Sequence, residues 1–185
     1  MPVTSSAGGY ARPMPTVTPT CLCLLRRRTA AGPEVLLGLK KAGFGAGKWV
    51  GLGGHIEEGE KPEAAAVREV DEESGLSVPA DSLQHAASIL FRFPHRPSWD
   101  QSAEVFTTPV YSGQLAESDE LVPQWFAEDD LPLAQMWDDA KYWLPLVLAG
   151  EHVDVTFTFG ADCATVESID PDLTRRVSPE VTDRR

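Results

Sequence analysis

Cysteine is scarce in this chain, and its placement does not suit cross-linking. Only three of the 185 residues are cysteine, Cys21, Cys23 and Cys163. The first two lie two apart in an apolar stretch, so they face one side of a strand and read as buried free thiols of a reducing compartment. Histidine is also thin, with four in the chain. None stands at ligand spacing from a cysteine, so a zinc site is not expected. Positive charge is in deficit: 16 Lys and Arg against 28 Asp and Glu leave a formal net charge of -12. That balance argues against a binder of nucleic-acid backbone, which needs a basic footprint. A polyphosphate ligand stays open to an acidic protein if metal ions bridge the like charges. No run approaches the roughly 18 apolar residues of a membrane span. The first fifteen residues have neither the basic start nor the apolar stretch of a secretory signal, so a cytoplasmic protein is expected.

What is present is concentrated in Gly54 to Leu76, G-H-I-E-E-G-E-K-P-E-A-A-A-V-R-E-V-D-E-E-S-G-L. Glu69, Glu72 and Glu73 sit at i, i+3 and i+4, which puts them on one side of a helix. Like charges that close weaken a helix. A hard divalent cation, which takes oxygen ligands, would relieve them. Ala66, Val67, Val70 and Ser74 form the opposite face, small and suited to packing on a core. Pro62 fits the first turn and Gly75 the stop. Gly51-Leu52-Gly53-Gly54 ahead of the helix lets backbone approach a ligand closely. Arg68 stands at i+4 from Glu72 and is expected to hold its carboxylate bidentately. Glu60 favours the helix N-terminus and orients the loop.

The stretch resembles the Nudix box, G-x5-E-x7-R-E-U-x-E-E-x-G-U with U aliphatic. Gly54, Glu60, Arg68, Glu69, Val70, Glu72, Glu73, Gly75 and Leu76 fill its defined positions. A solvated acidic helix accounts for acids on one face, but not for both glycines, Arg68 and the spacing of Glu60 together. The resemblance implies an α+β Nudix fold, a mixed β-sheet sandwiched between α-helices. It also implies hydrolysis of a phosphoanhydride with Mg2+, for which Mn2+ can substitute. Metal ligands would be Glu69, Glu72, Glu73, the Gly53 carbonyl and Glu120, the last from the acidic loop Glu117–Glu120. Catalytic roles fall to Glu72, Glu73, Glu120 and Arg68.

Along the chain, residues 1–15 read as a disordered tail, 16–169 as one Nudix domain and 170–185 as a polar tail. Strands are expected over Thr16–Leu25, Glu34–Lys40, Trp49–Val50, Leu83–Phe93, Ala103–Tyr111, Leu121–Phe126 and His152–Phe159. Arg26-Arg27-Arg28 opens a basic turn, and Ser112-Gly113 is another turn. Gly43–Lys48 lacks Walker A spacing and reads as a hairpin connection carrying Phe44 over a pocket. Trp137–Leu148 is helical, with Pro145 a kink or a boundary. His95 reads as a surface residue.

Outside the box, V-L-L-G-L-K-K-A-G-F-G-A-G-K-W-V-G-L-G-G, E-S-D-E-L-V-P-Q-W-F and M-W-D-D-A-K-Y-W-L-P-L-V-L resemble the mammalian MutT-homologue branch of the family. That branch hydrolyses oxidised purine nucleoside triphosphates such as 8-oxo-dGTP to monophosphate and pyrophosphate. By this likeness Thr20, Lys40, Phe44, Phe91, Trp137 and Asp139 bind the nucleotide, with Trp137 stacking on the base. Val50 stands where the branch has a base-bonding asparagine, and Ala140 where it has a second aspartate. Lost polar partners weaken discrimination, although Asp138 could shift to replace Ala140. The same chemistry on another modified nucleotide or a nucleotide sugar is one rival. A non-catalytic nucleotide sensor is another, though it would be expected to carry a broken box. A monomer acting on a small nucleotide, with no nucleic-acid polymer and no membrane partner, is expected.

Overall fold

A computed structural model describes residues 17–173. The tail expected over 1–15 lies outside them, as does most of the tail expected over 170–185. Twelve named elements carry the fold: β1 Thr18–Thr29, β2 Gly32–Lys40, β3 Trp49–Val50, α1 Pro62–Ser74, β4 Leu76–Ser77, β5 Gln84–Arg92, β6 Gln101–Thr108, β7 Ser112–Gly113, β8 Leu121–Ala127, α2 Ala140–Leu148, β9 Val153–Phe159 and β10 Val166–Asp170.

β1 is the shared member of an eight-stranded mixed sheet in the order β10-β9-β5-β6-β1-β2-β3, with β8 also on β2. Its first part, Thr18–Leu25, runs parallel to β6, and its last part, Arg26–Thr29, pairs antiparallel with β2. β5 and β9 are also parallel, so the sheet is mixed. Alternation along β1 separates two cores. Leu24 packs with Val155, Phe157 and the Trp143, Leu144 and Val147 side chains of α2. Cys21, Cys23 and Leu25 pack with Ala65, Ala66 and Val70 of α1. Helices on both faces give the expected sandwich.

α1 starts on Pro62 and stops where Gly75 turns left-handed at φ 68°. Ala65 is buried where Val67 was expected, and Val67 is only half-buried. β9 alternates as read, with Val153, Val155, Phe157 and Phe159 all buried.

Four expectations need correcting. The arginines continue β1 because each of the first two finds a partner across the sheet. Arg26 forks onto Glu128 at 2.7 and 2.8 Å, and Arg27 reaches Glu34 at 2.6 Å while lying 4.1 Å over the Trp125 ring. Ser112-Gly113 pairs with β4 instead of only turning. α2 begins at Ala140, which leaves Trp137 in the turn ahead, and Pro145 is no boundary because the helix runs on to Leu148. β10 was not expected at all, and beyond it Leu173 is buried in the α2 core.

Candidate active site

The site is built where the glycine loop is zipped to β1. Cys21 N–H donates to the Gly54 carbonyl at 2.9 Å, and Cys23 N–H to Leu52 at 2.7 Å. Contact that close tolerates no side chain: a Cβ on Gly53, whose φ is 150°, would run into the Cys21 carbonyl. On Gly54 a Cβ would lie 2.5 Å from Glu69 Oε1.

α1 delivers its three carboxylates to different depths. Glu73 is buried, 2% exposed, and accepts the Gly53 N–H at 2.8 Å. Glu69 is mostly covered and accepts from Arg68 Nη1 at 2.7 Å. The Glu72 side chain is 59% exposed at the mouth. Arg68 does not grip Glu72 as expected, reaching it only at 3.4 Å. Its fork closes on Glu60, Nε to Oε1 at 3.0 Å and Nη2 to Oε2 at 2.9 Å, and Nη2 also reaches the His55 carbonyl at 3.0 Å. Glu60 lies ahead of the helix and can present both oxygens to the guanidinium plane, which an i+4 neighbour on the same helix does not do here. It also accepts the Glu57 N–H at 3.0 Å, so it ties loop to helix. Arg68 and that N–H hold the Glu60 carboxyl below its usual pKa.

Burial pushes the Glu73 carboxyl up to about 7, against the pull of the Gly53 N–H. Burial pushes Asp139 up to about 6, opposed by the Trp143 Nε1–H that it accepts at 2.8 Å. The Cys21 and Cys23 thiols are raised by burial to about 11 and about 12, so neither is a ready nucleophile.

One cavity of about 630 Å³ joins these groups to the rest of the sequence-derived set. Gly53, Glu69, Glu72 and Glu120 line its acidic end, with Lys40 3.9 Å from Glu120. The acidic loop is pinned there by Lys41 N–H on the Glu120 carbonyl at 2.8 Å. Thr20, Phe44, Phe91, Trp137 and Asp139 line the other end. Phe44 stacks on Trp137 with centroids 4.9 Å apart and planes at 18°. Of the candidate residues, Glu73 and Arg68 do not line the cavity. Val50 and Ala140 do line it. Asp138 does not stand in for Ala140: its carboxylate takes Lys141 at 2.6 Å and the Val166 N–H at 3.0 Å. Gln101 lines the cavity unforeseen, along with Phe93, Trp143 and Phe159. The i+4 spacing of Asp139 and Trp143 was a usable signal for one of them.

The donor set suits a hard divalent cation: carboxylate oxygens around a glycine cradle that any Cβ would fill. Among the described residues no three acidic, histidine or cysteine side chains already converge on one point. Glu69 is engaged by Arg68 and Glu73 by the Gly53 amide. Each of these carboxylates keeps further lone pairs with which to meet a cation.

A model of the NUDIX domain matches residues 15–147. The chain belongs to the Nudix family of hydrolases. Nudix hydrolases are generally divalent-metal dependent, in keeping with the acidic end of the cavity. The chain is 45% identical over 134 residues to the oxidized purine nucleoside triphosphate hydrolase of Danio rerio, covering 72% of this chain and 84% of that one. It is 47% identical over 115 residues to the protein of the same name from Mus musculus, covering 62% and 72%. The MutT protein of Bacillus halodurans shares the fold, with a TM-score of 0.68 at 20% identity, over 84% of this chain and 99% of that one. Among the described residues no helix of this Nudix hydrolase is long and apolar enough to cross a membrane.

Proposed function

We propose that this Nudix hydrolase cleaves oxidised purine nucleoside triphosphates such as 8-oxo-dGTP to the monophosphate and pyrophosphate, with Mg2+ or Mn2+. The supporting observation is one cavity lined by carboxylates and by aromatic side chains around a buried aspartate. The printed names of the two animal relatives point the same way.

Glu69, Glu72, Glu73, Glu120 and the Gly53 carbonyl would hold the cation. When bound, it neutralises phosphate charge and acidifies a water. Lys40 meets the phosphate chain. A carboxylate among Glu72, Glu73 and Glu120 takes the proton of the attacking water. The water oxygen bonds phosphorus as the bridging P–O bond breaks, and pyrophosphate leaves with that oxygen. Arg68 positions Glu69 and, through Glu60, the glycine loop. At the far end Trp137, backed by Phe44, offers an aromatic surface for the base. Asp139, ionised above about pH 6, accepts from its ring N–H and amine edge. Val50 and Ala140 offer the base only apolar contact. We take 16–169, extended through Leu173, as the catalytic unit, acting as a cytoplasmic monomer on free nucleotides.

A substrate panel tests this. 8-oxo-dGTP, dGTP, a deaminated purine triphosphate and a nucleotide sugar are compared with Mg2+, scoring pyrophosphate against orthophosphate. 8-oxo-dGTP is expected to lead with pyrophosphate as co-product. Equal rates on 8-oxo-dGTP and dGTP would remove the case for oxidised purines, and turnover confined to the nucleotide sugar would move the function there.

A further inference from the structure

The base end of the cavity holds more aromatic surface than polar chemistry. Thr20 is half-committed, because its hydroxyl donates to the Ser102 carbonyl at 2.9 Å. Asp139 spends one oxygen on Trp143. Val50 and Ala140 contribute none. A purine carries donors and acceptors around its whole edge, and each one buried without a partner costs affinity.

Gln101 is a further polar side chain that lines this cavity. It is the first residue of β6, beside Phe91 of β5 on one side and Thr18 of β1 on the other. Phe91, Gln101 and Ala103 all line the cavity, so this end of the sheet forms part of its floor. Among the described residues the Gln101 amide has no protein hydrogen-bond partner; the residue is half-buried, and its amide reaches the solvent in the cavity. An unpaired amide at a ligand cavity, anchored at the start of a strand that pairs on both sides, is free to take a polar partner from a ligand.

We propose that Gln101 is a specificity-determining residue, whose side-chain amide hydrogen-bonds the purine edge from the sheet side and replaces polar contacts that Val50 and Ala140 lack. This rests on the nucleotide reading of the cavity given above. An amide presents a donor and an acceptor, and a flip exchanges them. One residue can thus meet either a purine carbonyl or a purine amine. Asp139 supplies the fixed contact and Gln101 the adaptable one, so the enzyme accepts more than one oxidised purine.

The test compares wild type, Gln101→Leu and Gln101→Glu on 8-oxo-dGTP, dGTP and ribose 5-triphosphate, which has no base. In Gln101→Leu, kcat/KM on 8-oxo-dGTP is expected to fall about tenfold to a hundredfold, mostly through KM. The rate on ribose 5-triphosphate should stay within about twofold, since the acidic end is untouched. Gln101→Glu, an acceptor only, should shift preference toward bases that present donors. If Gln101→Leu fails to fold by thermal denaturation, Gln101→Met carries the same arm. An unchanged rate and an unchanged 8-oxo-dGTP to dGTP ratio in the leucine or methionine variant would overturn the proposal while leaving the function intact. A wild type that treats ribose 5-triphosphate as well as any nucleotide would overturn both.

Discussion

At the scale of single residues, the site works by holding charged groups in unequal surroundings. Glu73 is buried against an amide, while Glu72 stands in solvent and Arg68 closes on Glu60. Glu73→Gln keeps an acceptor for the Gly53 N–H, so circular dichroism and nucleotide binding should be preserved. Turnover should drop by about a thousandfold or more if Glu73 serves the metal. Near-normal rates in that variant would remove it from the mechanism. Arg68→Lys cannot reproduce the fork on Glu60. Its affinity for Mn2+ should fall about tenfold to a hundredfold, measured by titration calorimetry, and an unchanged affinity would reduce Arg68 to a surface ion pair. Asp139 gives a pH signature. Its folded-state pKa lies near about 6 against an ordinary 3.8, so the folded state keeps a proton that the unfolded chain releases. The stability tied to this group is therefore lost as pH rises from about 4 to about 6 and stays lost above. Asp139→Asn should gain on the order of 2–3 kcal/mol over wild type at pH 8 and almost nothing at pH 4, while losing activity on 8-oxo-dGTP. Denaturant titrations at the two pH values check the first part.

At the scale of elements, the glycine loop supplies the sharpest contrast. A methyl on Gly53 meets backbone, which cannot yield, at a φ that L residues rarely adopt. Gly53→Ala should therefore lower the thermal midpoint strongly. A methyl on Gly54 meets only the end of Glu69, which can swing aside. Gly54→Ala should leave the midpoint nearly intact while raising the Mn2+ requirement, and equal losses of stability in both variants would contradict the loop geometry. Much of this was legible in the chain because local rules carry it. Pro62 and Gly75 bracket α1, and strict alternation gives β9 both its existence and its buried face. Contacts that depend on register were not legible. Glu60 meets Arg68 only once the loop folds back, and Gln101 faces the pocket only because β6 lies between β5 and β1. Three arginines in a row look like a turn until Glu128 and Glu34 are found across the sheet. The polar stretch before β10 carries no periodic signal, and it pairs because β9 offers a free edge.

At the scale of the whole molecule, an acidic protein of net charge -12 must bring in an anionic substrate, and the candidate site puts its carboxylates where the phosphates go. Removal of divalent ions with a chelator should abolish turnover without unfolding the chain, since both hydrophobic cores are closed by apolar side chains alone. The folded unit reaches past β10 to Leu173, which packs beneath α2. Leu173→Ala should cost about 2–5 kcal/mol in denaturant unfolding, and a negligible change would show that the core closes without it. β1 has a further consequence. Thr20, which lines the cavity, and Cys21 and Cys23, which hold the glycine loop, all lie on one extended strand. A strand advances about 3.3 Å per residue and stretches very little. For the proposed substrate it would serve as a ruler between base and phosphates: whichever purine is seated at one end, the same phosphoanhydride would be presented at the other, and scissile-bond choice would be decoupled from base choice.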